Sequence, residues 1–160
     1  MRSIAAFLSL VTLLAGCGVY TLNPAGKASI KTISVEPFEN KTNEFGFTDR
    51  LAEIVIDAFI KEGTLRVVPS GKADAALVAV LNRYEKLPFK FDQTDQVEEY
   101  KVLLDLQVTL KNPKDDSDIW TEHMTQEGVY NANSETEQDG QQRAGARLVD
   151  AILNRTTKSW

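Results

Sequence analysis

Apolar residues recur along this chain with two different periods, and each change of period marks an element. Between residues 100 and 110 the even positions are Tyr100, Val102, Leu104, Leu106, Val108 and Leu110, while Lys101, Asp105, Gln107, Thr109 and Lys111 hold odd ones. A period of two sends alternate side chains to opposite faces, so this segment predicts a strand with one core face and one wet face. Leu103 is its one exception. Residues Ile30 to Phe38 alternate Ile33, Val35 and Pro37 against Thr32, Ser34 and Glu36, which predicts a strand closed by Pro37. Phe47, Leu51, Ile54, Val55 and Ala58 fall instead at helical spacing. That helix ends at Lys61-Glu62-Gly63, with a basic last turn and a glycine just beyond it.

Further along, Leu65 to Val68 predicts a short strand stopped by Pro69. Ala75 to Leu87 is apolar on both phases at its start and then alternates, the pattern of a strand buried first on both faces and later on one. Asn112 to Asp118 supplies a turn, and Ile119 to Tyr130 predicts a partner strand returning along residues 100–110. Ser134 and Glu137 have capping-box spacing, ahead of a helix whose apolar stripe is Ala144, Leu148, Ala151 and Ile152. The order is strand, helix, four strands, helix. It predicts an α+β fold, a two-layer sandwich with two helices on one face of a mixed four- to five-stranded sheet. With 160 residues, 42% hydrophobic and 26% charged, the chain has the length and composition of one globular domain.

The N-terminus follows different rules. Met1 and Arg2 precede an apolar run, Ile4 to Leu14, that ends in Leu14-Ala15-Gly16-Cys17. The run is about 11 residues, whereas a helical membrane span needs roughly 20. It fits the core of a signal peptide followed by small residues at a cleavage site. The tetrapeptide resembles the bacterial lipobox, in which cleavage precedes the Cys and its sulfur carries a diacylglyceryl group. The expected organisation is therefore a signal peptide over 1–16, a lipidated tether over 17–29 and a single domain over 30–160. Apart from the diacylglyceryl and N-acyl lipid expected on Cys17, no cofactor is implied. Gly18, rather than Asp, follows the Cys, which does not argue for retention in the inner membrane.

Catalytic chemistry has little to work with. One Cys and one His exclude an internal disulfide and any zinc-spaced Cys/His cluster. Gly26-Lys27 lacks the upstream Gly and the following Ser/Thr of a phosphate loop. His123 lies on a predicted strand, with Glu122 beside it but on the opposite face. Asp115-Asp116-Ser117-Asp118 resembles an acidic calcium loop, yet Trp120 and Thr121 stand where an oxygen ligand and a Gly are required, so a solvated turn is expected.

The formal net charge of −5 argues against a general nucleic-acid partner. Its distribution says more. Residues 115–139 hold eight acidic residues and no Lys or Arg, whereas residues 141–160 hold Arg143, Arg147, Arg155 and Lys158 against Asp150. Arg143, Arg147 and Lys158 fall within about 60° of one another on a helix of 3.6 residues per turn. That stripe is a candidate contact for anionic lipid headgroups, or a row of side chains reaching from the helix edge into water. Leu87, Phe89 and Phe91 are either an exposed partner-binding loop or a strand end packed under the helices.

Taken together, certain residues carry a resemblance. After the lipobox come Ile33-Ser34-Val35-Glu36-Pro37-Phe38-Glu39-Asn40-Lys41-Thr42, then Gly63-Thr64-Leu65-Arg66-Val67-Val68, Ala73-Asp74-Ala75-Ala76-Leu77, Tyr84, Glu99-Tyr100, Ile119-Trp120 and Tyr130. The chain resembles the LptE family, the lipopolysaccharide-assembly lipoproteins of the bacterial outer membrane. The resemblance implies two helices on one face of a mixed sheet and a non-catalytic role. It implies a protein that plugs the large barrel LptD, helps it assemble, and binds lipopolysaccharide on its way to the outer leaflet. Only Cys17 carries over as a functional residue; the family often shows Cys-Gly-Tyr, and here Val19 intervenes before Tyr20. An alternative is a lipid-anchored activator of a periplasmic peptidoglycan synthase, which shares the lipobox, a strand ending in Pro-Phe-x-Asn and Gly-x-x-Val-Val. Such activators favour a long disordered tether, whereas the predicted one here is short.

Replacing Cys17 with Ser removes the acyl acceptor and is expected to move the protein from the membrane pellet to the soluble fraction. A variant that stays membrane-bound refutes the lipobox.

Overall fold

The even-numbered face of residues 100–110 is the centre of the core. The computed structural model describes residues 30–157. The expected signal peptide and tether, with Cys17, and Lys158 near the C-terminus lie outside the described residues. Strand β5, Val97–Asn112, buries Val102, Leu104, Leu106, Val108 and Leu110 completely. On one side it pairs antiparallel with β4, Ala75–Phe91, which sets Leu77 beside Leu110, Ala79 beside Val108 and Leu81 beside Leu106. On the other it pairs antiparallel with β6, Ser117–Asn131, which sets Trp120 beside Leu110 and Met124 beside Leu106.

Two helices close this face. In α1, Phe47–Glu62, the buried side chains include Leu51, Val55 and Phe59. In α2, Glu137–Thr157, Ala144, Leu148, Val149, Ile152 and Leu153 are buried. All join one continuous cluster with β5. The α+β sandwich expected from the sequence is thus the observed architecture.

Among the described residues the sheet has six strands, two of them only two residues long. β1, Thr32–Val35, runs parallel to both β4 and β3, Arg66–Val67, giving the order β3-β1-β4-β5-β6. β2, Glu39–Asn40, adds a short parallel pairing to β4 beyond the end of β1. The single strand expected over residues 30–38 is therefore broken in two. Glu36 N–H donates to Leu77 O and Lys41 N–H to Leu81 O, while Pro37 between them has no donor to give. The expected Leu65–Val68 strand shortens to β3. In contrast, β4 outruns its expected end at Leu87 and continues to Phe91.

A register shift between Leu81 and Arg83 changes the phase of β4. Before it, odd residues face the helices. After it, the even residues Tyr84 and Lys86 stand opposite Leu104 and Val102 on that face, and Leu87 turns away. This is what a bulge does to a strand with a side-chain period of two.

The helix ends show which local signals won. Gly63 takes a left-handed φ of 78° and its N–H donates to Phe59 O, so α1 stops as its glycine predicts. The start of α2 does not follow the expected Ser134/Glu137 box. Ser134 is drawn to Asn131 Oδ1 through both its N–H and its hydroxyl. The cap is shifted by two residues: Asp139 Oδ2 accepts from the Thr136 N–H at 2.7 Å and from its hydroxyl at 2.8 Å.

Close backbone approach fixes α2 on β6. A Cβ on Gly128 would run into Gly140 O and lie 2.7 Å from Ala144 N, both backbone atoms that cannot swing aside. Gly128→Ala is therefore expected to push α2 off the sheet and to destabilise the protein by about 1–3 kcal/mol, the usual cost of overpacking. Urea unfolding of the two proteins checks this, and an unchanged midpoint refutes it.

Candidate functional site

Where α2 begins, five elements meet around Tyr84. Its hydroxyl donates to Glu137 in a short hydrogen bond and accepts from Gln141 Nε2 at 2.9 Å. The Phe47 ring lies 4.5 Å from its own, centroid to centroid. Lys86 Nζ sits 3.1 Å from Glu137 Oε2 and 4.9 Å above the Tyr100 ring, which stacks on Tyr130. Burial raises the Tyr84 phenol, and the hydrogen bond to Glu137 raises it further. Burial also pushes the Glu137 carboxyl up, but Tyr84 and Lys86 outweigh it and hold that carboxyl below its ordinary value. The cluster is a polar lock between both helices and the sheet. The sequence pattern marks Phe47, Tyr84, Tyr100, Tyr130 and Glu137 one by one, Glu137 in a different role, but nothing in it brings them together or points to Lys86 and Gln141.

The basic stripe is used in a specific way. Arg143 Nη1 donates to Val129 O at 2.6 Å, and Arg147 Nη1 donates to Glu127 O at 2.8 Å. Both carbonyls belong to β6. Arg143 also forms a two-point ion pair with Glu135, a fork geometry that suits guanidinium and carboxylate. Glu135 in turn accepts the Asn131 N–H at 2.7 Å. Arg155 pairs with Glu122 at 2.7 Å. The acidic run and the basic helix thus face each other across the α2–β6 contact. Lys158, the third member of the stripe, lies outside the described residues.

On the face of the sheet away from the helices, charges form ladders across the strands. Asp105 of β5 lies between Arg83 of β4, at 3.5 Å, and His123 Nε2 of β6, at 2.6 Å. Lys101 pairs with Glu127, and the Thr109 and Thr121 hydroxyls are 3.1 Å apart. Glu122 points to the helix side, as the period of two requires. His123 is therefore one rung of a polar face. The Asp115–Asp118 run forms the β5–β6 turn: Asp115 Oδ1 accepts from the Ser117 N–H and hydroxyl, and Asp116 pairs with Lys111. Leu87, Phe89 and Phe91 lie on the β4–β5 hairpin, 37%, 51% and 54% exposed. They form an exposed strand end and are not packed under the helices.

No group of three or more metal-ligating side chains stands together among the described residues, and no described helix is long and apolar enough to cross a membrane. The family model of LptE, lipopolysaccharide-assembly, matches residues 30–156. The chain belongs to the LptE family. No curated protein matches it. In fold it is similar to the hypothetical protein CT253 from Chlamydia trachomatis, with 9% identity and a TM-score of 0.57, covering 82% of this chain and 100% of that one. It is also similar to protein XCC0632 from Xanthomonas campestris, with 16% identity and a TM-score of 0.54, covering 84% and 87%. A third is the PelC dodecamer from Paraburkholderia phytofirmans, at 13% identity and a TM-score of 0.52, covering 79% and 91%. At these identities the likeness is one of fold.

LptE membership makes this an outer-membrane lipoprotein of the lipopolysaccharide-assembly type, from a family that is not enzymatic. In such a protein the side chains worth testing are those that shape surfaces, and among the carboxylates Glu135 is strongly perturbed. Arg143, and then the Asn131 N–H, lower its carboxyl from 4.5 to about 2. A lowered folded-state value stabilises the protein fully above the ordinary carboxylate range, and that contribution fades as pH falls through about 2. The Glu135 carboxyl resonance is therefore expected to titrate near 2 in the native protein and to move back toward 4.5 in Arg143→Gln. A titration near 4.5 in both breaks the assignment.

Proposed function

We propose that this chain is the lipid-anchored, non-catalytic subunit of a lipopolysaccharide-assembly complex, seated in the lumen of an LptD-type outer-membrane barrel. The observation that carries the reading is the LptE family match across almost the whole described domain, residues 30–156. Physical chemistry supports it from two sides. The sheet face away from the helices is a set of charge and hydroxyl ladders, which suits the polar interior of a large barrel. A tether on Cys17 with two or more acyl chains would hold the domain at the membrane, where one chain gives only marginal binding. In this role the chain helps the barrel assemble and assists lipopolysaccharide toward the outer leaflet. It works from the periplasmic side or the barrel lumen.

The test is affinity purification of the full, lipidated protein from bacterial membranes under mild detergent. The expected result is stoichiometric recovery of a large β-barrel, together with loss of barrel assembly when the protein is depleted. Recovery of a peptidoglycan synthase with no barrel overturns the proposal and supports the activator reading instead.

A further inference from the structure

Among the described residues strand β6 is an edge: it pairs with β5 on one side and ends the strand order on the other. In an antiparallel pair, alternate residues point both backbone groups at the partner, and those between point both away. Ala132 N–H donates to Glu98 O, which sets the phase. Asn131, Val129 and Glu127, one residue and then every second residue back, direct their N–H and C=O groups outward. An edge of this kind is a template for a foreign strand unless something covers it.

These three outward positions are where the charged side chains of the α2 region land. Glu135 Oε2 accepts from the Asn131 N–H at 2.7 Å, Arg143 Nη1 donates to Val129 O at 2.6 Å, and Arg147 Nη1 donates to Glu127 O at 2.8 Å. Acceptor and donors follow one another along the edge at strand spacing, as the backbone of a neighbouring strand would place them. The two-point ion pair with Glu135 holds Arg143 in place. We propose that Glu135, Arg143 and Arg147 act as a strand mimic that closes the β6 edge to a second copy of this chain. The second copy is the relevant intruder because two antiparallel β6 edges are related by a two-fold axis and so are self-complementary. Anchoring on one membrane also raises the effective concentration of copies for one another. To pair in full along residues 127–131, an incoming strand must displace three charge-assisted hydrogen bonds. The proposal rests on the fold and does not depend on the barrel reading.

The test uses the full-length lipidated protein in detergent, with mass from light scattering after subtraction of the micelle and with amide hydrogen exchange on the same samples. The native protein is expected to be monomeric. Arg143→Gln with Arg147→Gln is expected to produce dimers or larger species, with new protection at the amides of Glu127 and Val129. Adding Glu127→Pro removes an outward donor at a position where an edge strand tolerates proline, and it is expected to return the protein to monomer. The paired Lys replacements, which keep a long, charged donor where Gln has only a short neutral one, are expected to stay mostly monomeric. A folded, monomeric Gln variant overturns the proposal, as does association or precipitation that Glu127→Pro does not reverse. So does a native dimer protected at Glu127 and Val129. Loss of binding to phosphatidylglycerol vesicles without any change of mass also overturns it, and assigns both arginines to a lipid headgroup.

Discussion

The approach of α2 to β6 at Gly128 and Gly140 sets the position of almost every charged group that matters. With any side chain at Gly128 the helix would stand off the sheet. Because it does not, Arg143 and Arg147 reach past the helix edge to β6 carbonyls, Glu137 lies over Tyr84, and Arg155 meets Glu122. Burial of Leu148 and Ile152 against the β5 face supplies the attraction that makes such an approach favourable. The polar contacts then select one helix position among those that hydrophobic packing alone would tolerate. A small-residue contact in the backbone layer thus controls the surface chemistry one layer out.

How much of this is legible in the sequence depends on whether the signal is local. β5 can be read from its even positions, because a strand with one buried face must alternate. The end of α1 can be read from Gly63, because the left-handed conformation needed there favours glycine. The bulge after Leu81 cannot be read: it shows only as apolar residues on both phases, which a fully buried strand produces equally well. The start of α2 differs from its local signal because Asn131 competes for Ser134, and that competition exists only once β6 has ended where it does. Two-residue strands such as β2 and β3 have no period at all; their pairing to β4 and β1 is decided by what surrounds them.

The candidate site divides along the same line. Sequence locates a basic stripe on the last helix and an acidic run before it, and it places the stripe's arginines on one side. It does not say that the two neutralise each other, since that requires α2 to run back along β6. Glu135 carries no motif of its own; its value comes from standing beside Asn131 and eight residues before Arg143. The family is legible for a different reason. Its resemblance is spread over structural positions from Ile33 to Tyr130, and such positions are what a fold constrains most.

For any contact this domain makes, the disposition of its charges matters more than their sum. The formal excess of acid suggests a repulsive, anionic body. The structure instead spends much of it internally: Glu122, Glu127, Glu135 and Glu137 each face a Lys or Arg of a neighbouring element. What is left outward is a laddered polar face on one side of the sheet, a β6 edge bridged by side chains at residues 127–131, and an apolar hairpin end at Leu87, Phe89 and Phe91. Polar ladders satisfied within the sheet can lie against a wet wall without ordering new partners, because their charges are already paired. An open edge cannot, since its unpaired groups would seek any strand that came near. The contacts that α2 and the residues before it make with Asn131, Val129 and Glu127 are therefore what keeps that stretch of β6 from standing open.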